Sequence, residues 1–181
     1  MVKKDRTKWD AKYLRDLGNP EPSSVLENYW SRAPVGKALD LACGNGRNSV
    51  FLAEKGFLVD AVDISTVATD HLSGRHPNIN AICADLDTWH ITPERYELIV
   101  NIRFLNRHLF PMIQAGLKPG GVLIFEAFLD GQKKEFCLKE NELLHAFSAF
   151  RVICYEEKIT NDTERPAKMA SFVARKADAA C

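Results

Sequence analysis

Apolar and polar positions recur along this chain with two periods, and the alternation between them lays out most of a fold. Short apolar, β-branched runs fall at 37–43, 58–64, 79–84, 97–102 and 122–128. Between them, segments 47–55, 66–75 and 109–117 carry apolar residues at helical spacing,. Continuous apolar strands alternating with amphipathic helices predict a parallel sheet covered on both faces. Right-handed crossovers make it a doubly wound, Rossmann-like three-layer α/β sandwich. A further helix is expected at 139–147, with Leu143, Leu144 and Phe147 on one face,. Two strand-like runs follow at 150–159 and 168–176, joined by the polar stretch 160–167 with no helix between them. A parallel pairing needs a crossover, so these two form an antiparallel hairpin at the sheet edge. The expected total is about seven strands, mostly parallel.

Ahead of the sheet lie two polar, helix-prone segments, 8–17 and 23–31, separated by the breaker Gly18-Asn19-Pro20,. Ser23 and Ser24 offer N-caps for the second. One domain over 1–181 is expected, with helices in 1–34 covering a site on a core sheet formed by 35–181.

The richest segment is Asp40-Leu-Ala-Cys-Gly44-Asn-Gly46-Arg47-Asn48. A strand ending in a glycine turn that opens into a helix presents unpaired first-turn N–H groups, a place for a carboxylate or phosphate. Asp40, one pleat back, adds an acidic group that a bare anion site would not want, which points to a zwitterionic ligand. Asp63 ends the second apolar run about twenty residues on, where an acidic side chain meets ribose hydroxyls in this architecture. It would serve equally as a cap for the helix beginning near Thr66. Asp85 follows the third run, placed to accept from an adenine amino group with Leu86 against the ring, or to act as an ordinary turn aspartate.

Composition narrows the partners. Twenty-four basic residues balance twenty-four acidic ones, so the footprint of a general nucleic-acid binder is missing,. The five cysteines are scattered without Cys-x-x-Cys or histidine-cluster spacing, and no metal site is expected,. The charged start lacks a signal-peptide core and no apolar run approaches the ~20 residues of a membrane span, so a cytoplasmic location is expected.

In order and spacing, the glycine segment, Asp63, Ala84-Asp85-Leu86 and Leu117-Lys-Pro-Gly-Gly-Val-Leu123 resemble the successive motifs of class I S-adenosylmethionine-dependent methyltransferases. The Gly46-Arg-Asn-Ser49 continuation and small size resemble the tellurite-resistance-type branch. The resemblance runs from about Ala38 to Phe128. It implies S-adenosylmethionine as cofactor, S-adenosylhomocysteine as product and a small-molecule acceptor, by resemblance a soft nucleophile. It also implies cofactor contacts from Asp40, Ala42, Gly44, Gly46, Arg47, Asn48, Asp63, Ile64, Asp85, Leu86 and Asn101. Ala42 stands where many members have glycine and is tolerated if its φ is negative.

Two other readings use the same residues. Gly44-x-Gly46 with Ser49 approximates a dinucleotide fingerprint, hence an NAD-dependent oxidoreductase; Asp40 beside a pyrophosphate and Ser49 in the third glycine position count against it. A non-catalytic cofactor-binding protein is the second. Substrate residues belong beyond the fourth and fifth strands. Arg103, Arg107 and His108 are candidates there, the arginines for an anionic substrate and His108 as a base, each with a structural alternative. Glu126 either faces the substrate or satisfies a neighbouring loop. Trp9 and Tyr13, one helical turn apart, are candidates for a lid. Trp89 and His90 lie in the loop after Asp85, within reach of adenine.

Overall fold

A computed structural model describes residues 2–130, 134–160 and 167–178. The helices are α1 (Val2–Arg15), α2 (Ser24–Tyr29), α3 (Arg47–Glu54), α4 (Thr66–Leu72), α5 (Leu109–Gly116) and α6 (Glu142–Ala146). The strands are β1 (Lys37–Leu41), β2 (Leu58–Asp63), β3 (Ile79–Cys83), β4 (Tyr96–Ile102), β5 (Leu117–Phe128), β6 (Phe150–Thr160) and β7 (Ala167–Lys176). They form one seven-stranded sheet in the order β3-β2-β1-β4-β5-β7-β6. The pairs among β1 to β5 are parallel, and β7 runs antiparallel between β5 and β6. The connection at 161–166, expected as a polar loop, lies outside the described residues.

Strand alternation sorts the core into two layers. Leu39, Leu41, Ile99, Leu123 and Phe125 face one side, packing with Phe110 and Ile113 of α5 and with Leu143 of α6. Phe147 lies at the centre of that layer, 5.4 Å from the Phe110 ring, 5.6 Å from Phe150 and 5.8 Å from Phe172. Ala38, Val59, Ala61, Leu98 and Val100 face the other side, against Leu26 of α2, Leu52 of α3 and Leu72 of α4. Because β1 and β4 are adjacent while β2 and β3 wind outward, the order reverses at β1/β4. The crevice above that point, at the carboxyl ends of the strands, is where ligands bind in such sheets.

Three local expectations change. β5 starts at Leu117, which pairs with Tyr96; the register against β4 then shifts between Tyr96 and Leu98, and Gly120 takes a φ of +74°. Ser23 stands at the N-cap of α2, yet its hydroxyl makes no cap bond; its N–H donates instead to Asn48 Oδ1 at 3.0 Å. α1 begins well before Lys8, at Val2.

Candidate functional site

The glycine turn leaves β1 and enters α3. Gly44 and Gly46 have φ of +57° and +77°, a region that glycine enters without a Cβ penalty,. Ala42 is also left-handed, at +53°, so the negative φ that would make alanine comfortable there is not adopted. That conformation costs an alanine about 1 kcal/mol or more.

Side chains from neighbouring strands meet this turn. Asp63, at the end of β2, is buried; its Oδ2 accepts the Gly44 N–H and its Oδ1 the Ser65 N–H, each at 2.9 Å. It therefore braces both the turn and the start of α4, whose cap is Ser65, accepting from the Ala68 N–H. Burial raises the Asp63 carboxyl, opposed by those two N–H groups. The Ile64 N–H also stabilises the charge, and a carboxylate has about four lone-pair sites, so capacity remains for a further donor. Asp40 is 1% exposed and accepts the Ser49 hydroxyl at 2.6 Å. Burial is the main cause that pushes Asp40 up to about 7, Asp63 adds repulsion, and the Ser49 bond opposes both.

Asp85, beyond β3, begins a turn: its Oδ1 accepts the Asp87 N–H at 3.0 Å and its carbonyl the Trp89 N–H at 2.8 Å. The turn-aspartate role is thus filled by one oxygen. The other, Oδ2, is buried and has no hydrogen-bond partner among the described residues. A carboxylate oxygen left this way costs about 1–3 kcal/mol. Leu86 beside it is buried.

Arg47 lies close enough to Asp40 and Tyr13 for its charge to lower both groups against the burial that raises them, and Asn48 is buried. The Arg47 guanidinium donates to the Glu21 carbonyl at 3.1 Å, and Asn48 holds the start of α2. Both fasten the segment before β1 onto α3. Asn101, at the end of β4, donates to the Phe104 carbonyl at 2.5 Å and closes the turn that follows.

The substrate-side candidates separate. Arg107 donates to both carboxylate oxygens of Glu142, and to the carbonyls of Glu135 at 3.0 Å and Cys137 at 2.9 Å. It clamps the segment ahead of α6, a role for which a planar guanidinium fork is suited. Its partners are about thirty residues away, so no local pattern announces them. His108 is exposed at the N-cap of α5 and makes no side-chain cap bond. Arg103 has φ of +59° and donates its N–H to the Glu126 carbonyl at 2.7 Å. Glu126 is buried and accepts the Ser171 hydroxyl of β7 at 2.9 Å.

Sequence reasoning missed how α1 docks. Asp10 Oδ1 accepts the Ser65 hydroxyl at 2.5 Å and the Val67 N–H at 3.2 Å; Arg6 donates to the Ile64 carbonyl at 3.0 Å. An acidic residue suits the N-terminus of α4, but nothing local to Asp10 signals a partner more than fifty residues on. Trp9 and Tyr13 stack at 6.0 Å, and Lys12 Nζ lies 4.7 Å from the Trp9 ring centre. The Tyr13 hydroxyl lies 2.7 Å from where a Cβ on Gly44 would stand. A hollow of about 400 Å³ lies elsewhere, on the outer side of α3, lined by Pro20, Arg47, Phe51 and His71 among others. It contains none of the three aspartates, and the crevice is defined by Asp40, Asp63 and Asp85.

The crystal structure of TehB from Haemophilus influenzae matches with a TM-score of 0.71 at 25% identity, over 93% of this chain and 67% of that one. The fold is the Rossmann-like fold of the methyltransferases. The chain is 28% identical over 164 residues to the probable S-adenosyl-L-methionine-dependent methyltransferase TehB of Haemophilus influenzae, covering 77% of this chain and 57% of the relative. It is 30% identical over 154 residues to hemagglutinin 1 of Eikenella corrodens, covering 76% of this chain and 51% of that protein. It spans about half the length of the curated relatives it matches. The family model described as tellurite resistance protein TehB matches residues 12–168, and the chain belongs to that family.

Proposed function

We propose that this chain binds S-adenosylmethionine at the carboxyl ends of β1, β2 and β3 and transfers its methyl group to a small-molecule acceptor. The observation that carries the reading is the buried, unpartnered Asp85 Oδ2 on the same edge as Asp63 and the glycine turn. When bound, the donor supplies a methyl group on a sulfonium, already activated for in-line displacement.

The residues present fit that donor. Gly44 and Gly46 allow close backbone approach. Asp63, with acceptor capacity left beyond its backbone N–H partners, suits ribose hydroxyls, with Ile64 beside it. Asp85 Oδ2 suits an adenine amino group, and Leu86 the ring. Asp40 places acidic charge under the turn for an ammonium, while Ala42 and Asn101 shape the walls. Arg47 and Asn48 act indirectly, by fastening the segment that carries α2.

Because the methyl is activated, this chain's contribution is mainly to hold donor and acceptor in line, about 3 Å apart at the reacting atoms. A base is needed only for an acceptor that arrives protonated, and exposed His108 is the candidate. Arg103 flanks the same edge. α1 covers the crevice through Tyr13 and Trp9. The balanced charge supports a small acceptor rather than a nucleic acid, in a cytoplasmic setting.

Incubation with methyl-labelled S-adenosylmethionine and a fractionated small-molecule extract tests this. Labelled product, abolished by Asp63→Ala, is expected. Donor binding with no transfer to any fraction would favour a non-catalytic cofactor-binding protein.

A further inference from the structure

Among the described residues the buried carboxylates are Asp40, Asp60, Asp63 and Glu126. Asp40 and Asp63 belong to the glycine turn, and Asp60 accepts from Asn80, Arg95 and Tyr96 at 2.9, 3.1 and 2.9 Å. Glu126, 4% exposed, is engaged far less. Its Oε2 accepts the Ser171 hydroxyl at 2.9 Å, and its Oε1 has no hydrogen-bond partner among the described residues. Its position is fixed by Ile102 of β4 and Ser171 of β7, which pair with it across the sheet, and by the Arg103 N–H on its carbonyl. It shares a face with Ile124, the face on which Leu26 of α2 packs,. Ser23, just ahead of α2, lies toward the same end of the sheet, because its N–H bonds Asn48 in the first turn of α3. Ser23 is 5% exposed, and its hydroxyl has no hydrogen-bond partner among the described residues. Two under-used polar groups thus lie on the α2 side of the sheet, toward the carboxyl ends of β4 and β5, while Asp63 and Asp85 stand at β2 and β3.

Resting on the methyl-transfer reading above, we infer that Glu126, together with Ser23, binds the methyl acceptor, and that this acceptor is a neutral or cationic molecule donating an N–H or O–H. A carboxylate only accepts hydrogen bonds, so its ligand must bring the proton. An oxyanion brings none and sets a like charge against a buried one, which is unfavourable. An amine or hydroxyl supplies the donor, and bonds to an ionised group are the stronger kind. The Ser23 hydroxyl, donor and acceptor at once, can meet the same group's lone pair or second proton. A purely structural role accounts for the acid poorly. The backbone ladder already joins Glu126 and Ser171 in register, and one hydroxyl bond does not offset the burial of a charge.

The test incubates the full chain with methyl-labelled S-adenosylmethionine and a small-molecule extract split beforehand by anion exchange. Label is expected in the unretained fraction, which holds neutral and cationic molecules. Label taken up by the retained, anionic fraction overturns the inference while the methyl-transfer reading stands. Glu126→Gln keeps the shape and removes the charge. With the unretained fraction limiting, its transfer should fall about tenfold to a hundredfold, and less as that fraction is concentrated, with S-adenosylhomocysteine affinity by calorimetry unchanged. Undiminished transfer, or a loss matched by weaker S-adenosylhomocysteine binding, overturns the inference. Ser23→Ala decides the matter if Glu126→Gln does not fold. Deleting an unpartnered hydroxyl should leave the thermal midpoint unchanged or higher, while limiting transfer falls about twofold to tenfold. Undiminished transfer in that variant removes Ser23 from the site and overturns the inference as stated. If the unaltered protein labels no fraction, the methyl-transfer reading falls and the inference with it.

Discussion

Gly46→Ala is the substitution whose cost follows most directly from the packing. Gly46 has φ of +77°, and a Cβ there would meet the Leu72 side chain, with Cδ2 at 2.8 Å and Cγ at 3.0 Å. Leu72 is fully buried at the end of α4, so its methyl groups move only by displacing neighbours such as Leu52 and Phe57. The left-handed conformation costs an alanine about 1–2 kcal/mol, and overpacking a filled core about 1–3 kcal/mol. Lower chain entropy in the unfolded state returns about 0.5–1 kcal/mol. The expected net loss is about 1–4.5 kcal/mol, which urea unfolding reads as a midpoint lowered by roughly 0.5–2 M. A double-mutant cycle with Leu72→Ala isolates the clash. Leu72→Ala alone costs about 2–5 kcal/mol, but it removes the atoms that the new Cβ strikes. The double variant should be more stable than the sum predicts by about 1–3 kcal/mol. Additivity within about 0.5 kcal/mol would refute the proposed contact between the turn and α4.

Other outcomes follow from the same geometry. Ala42→Gly removes left-handed strain and should be neutral to stabilising by about 1 kcal/mol, measured by the same unfolding assay,. Arg107→Ala should cost about 1–2 kcal/mol, a modest figure because the guanidinium is 39% exposed and solvent screens the ion pair,; hydrogen exchange should quicken in residues 134–142. Asp40, pushed up to about 7 from 3.8, favours the folded state fully below the lower value, and that contribution is lost as pH rises through the upper one,. Burial moves Asp63 the same way, so unfolding free energy should fall between about pH 4 and pH 7, and Asp40→Asn should flatten that slope,.

The strands, their order of appearance and the closing hairpin were legible because each is written in a local period or a missing crossover. The three aspartates were legible as candidates because strand ends and turns are local too. What the local pattern could not supply was the partner. Arg107 reads as an anion binder until Glu142 and two carbonyls from a distant segment take it up. Arg47 and Asn48 read as ligand contacts, and nothing local announces the bonds they also make to Glu21 and Ser23. Asp10 carries no signal of its own, although it fixes α1 to α4. Ala42 misled in a different way: side-chain identity favoured one backbone region, and the turn geometry imposed the other. In each case a tertiary contact decided the role.

The claim on which the account rests is that the crevice holds an adenosyl donor through Asp63 and Asp85. Titration of the full chain with S-adenosylhomocysteine, and separately with NADH, measures this directly. The account predicts micromolar or tighter S-adenosylhomocysteine binding, at or below about −8 kcal/mol, weakened at least tenfold by Asp63→Ala and by Asp85→Ala. Absence of binding at millimolar S-adenosylhomocysteine, or tighter binding of NADH, would contradict it.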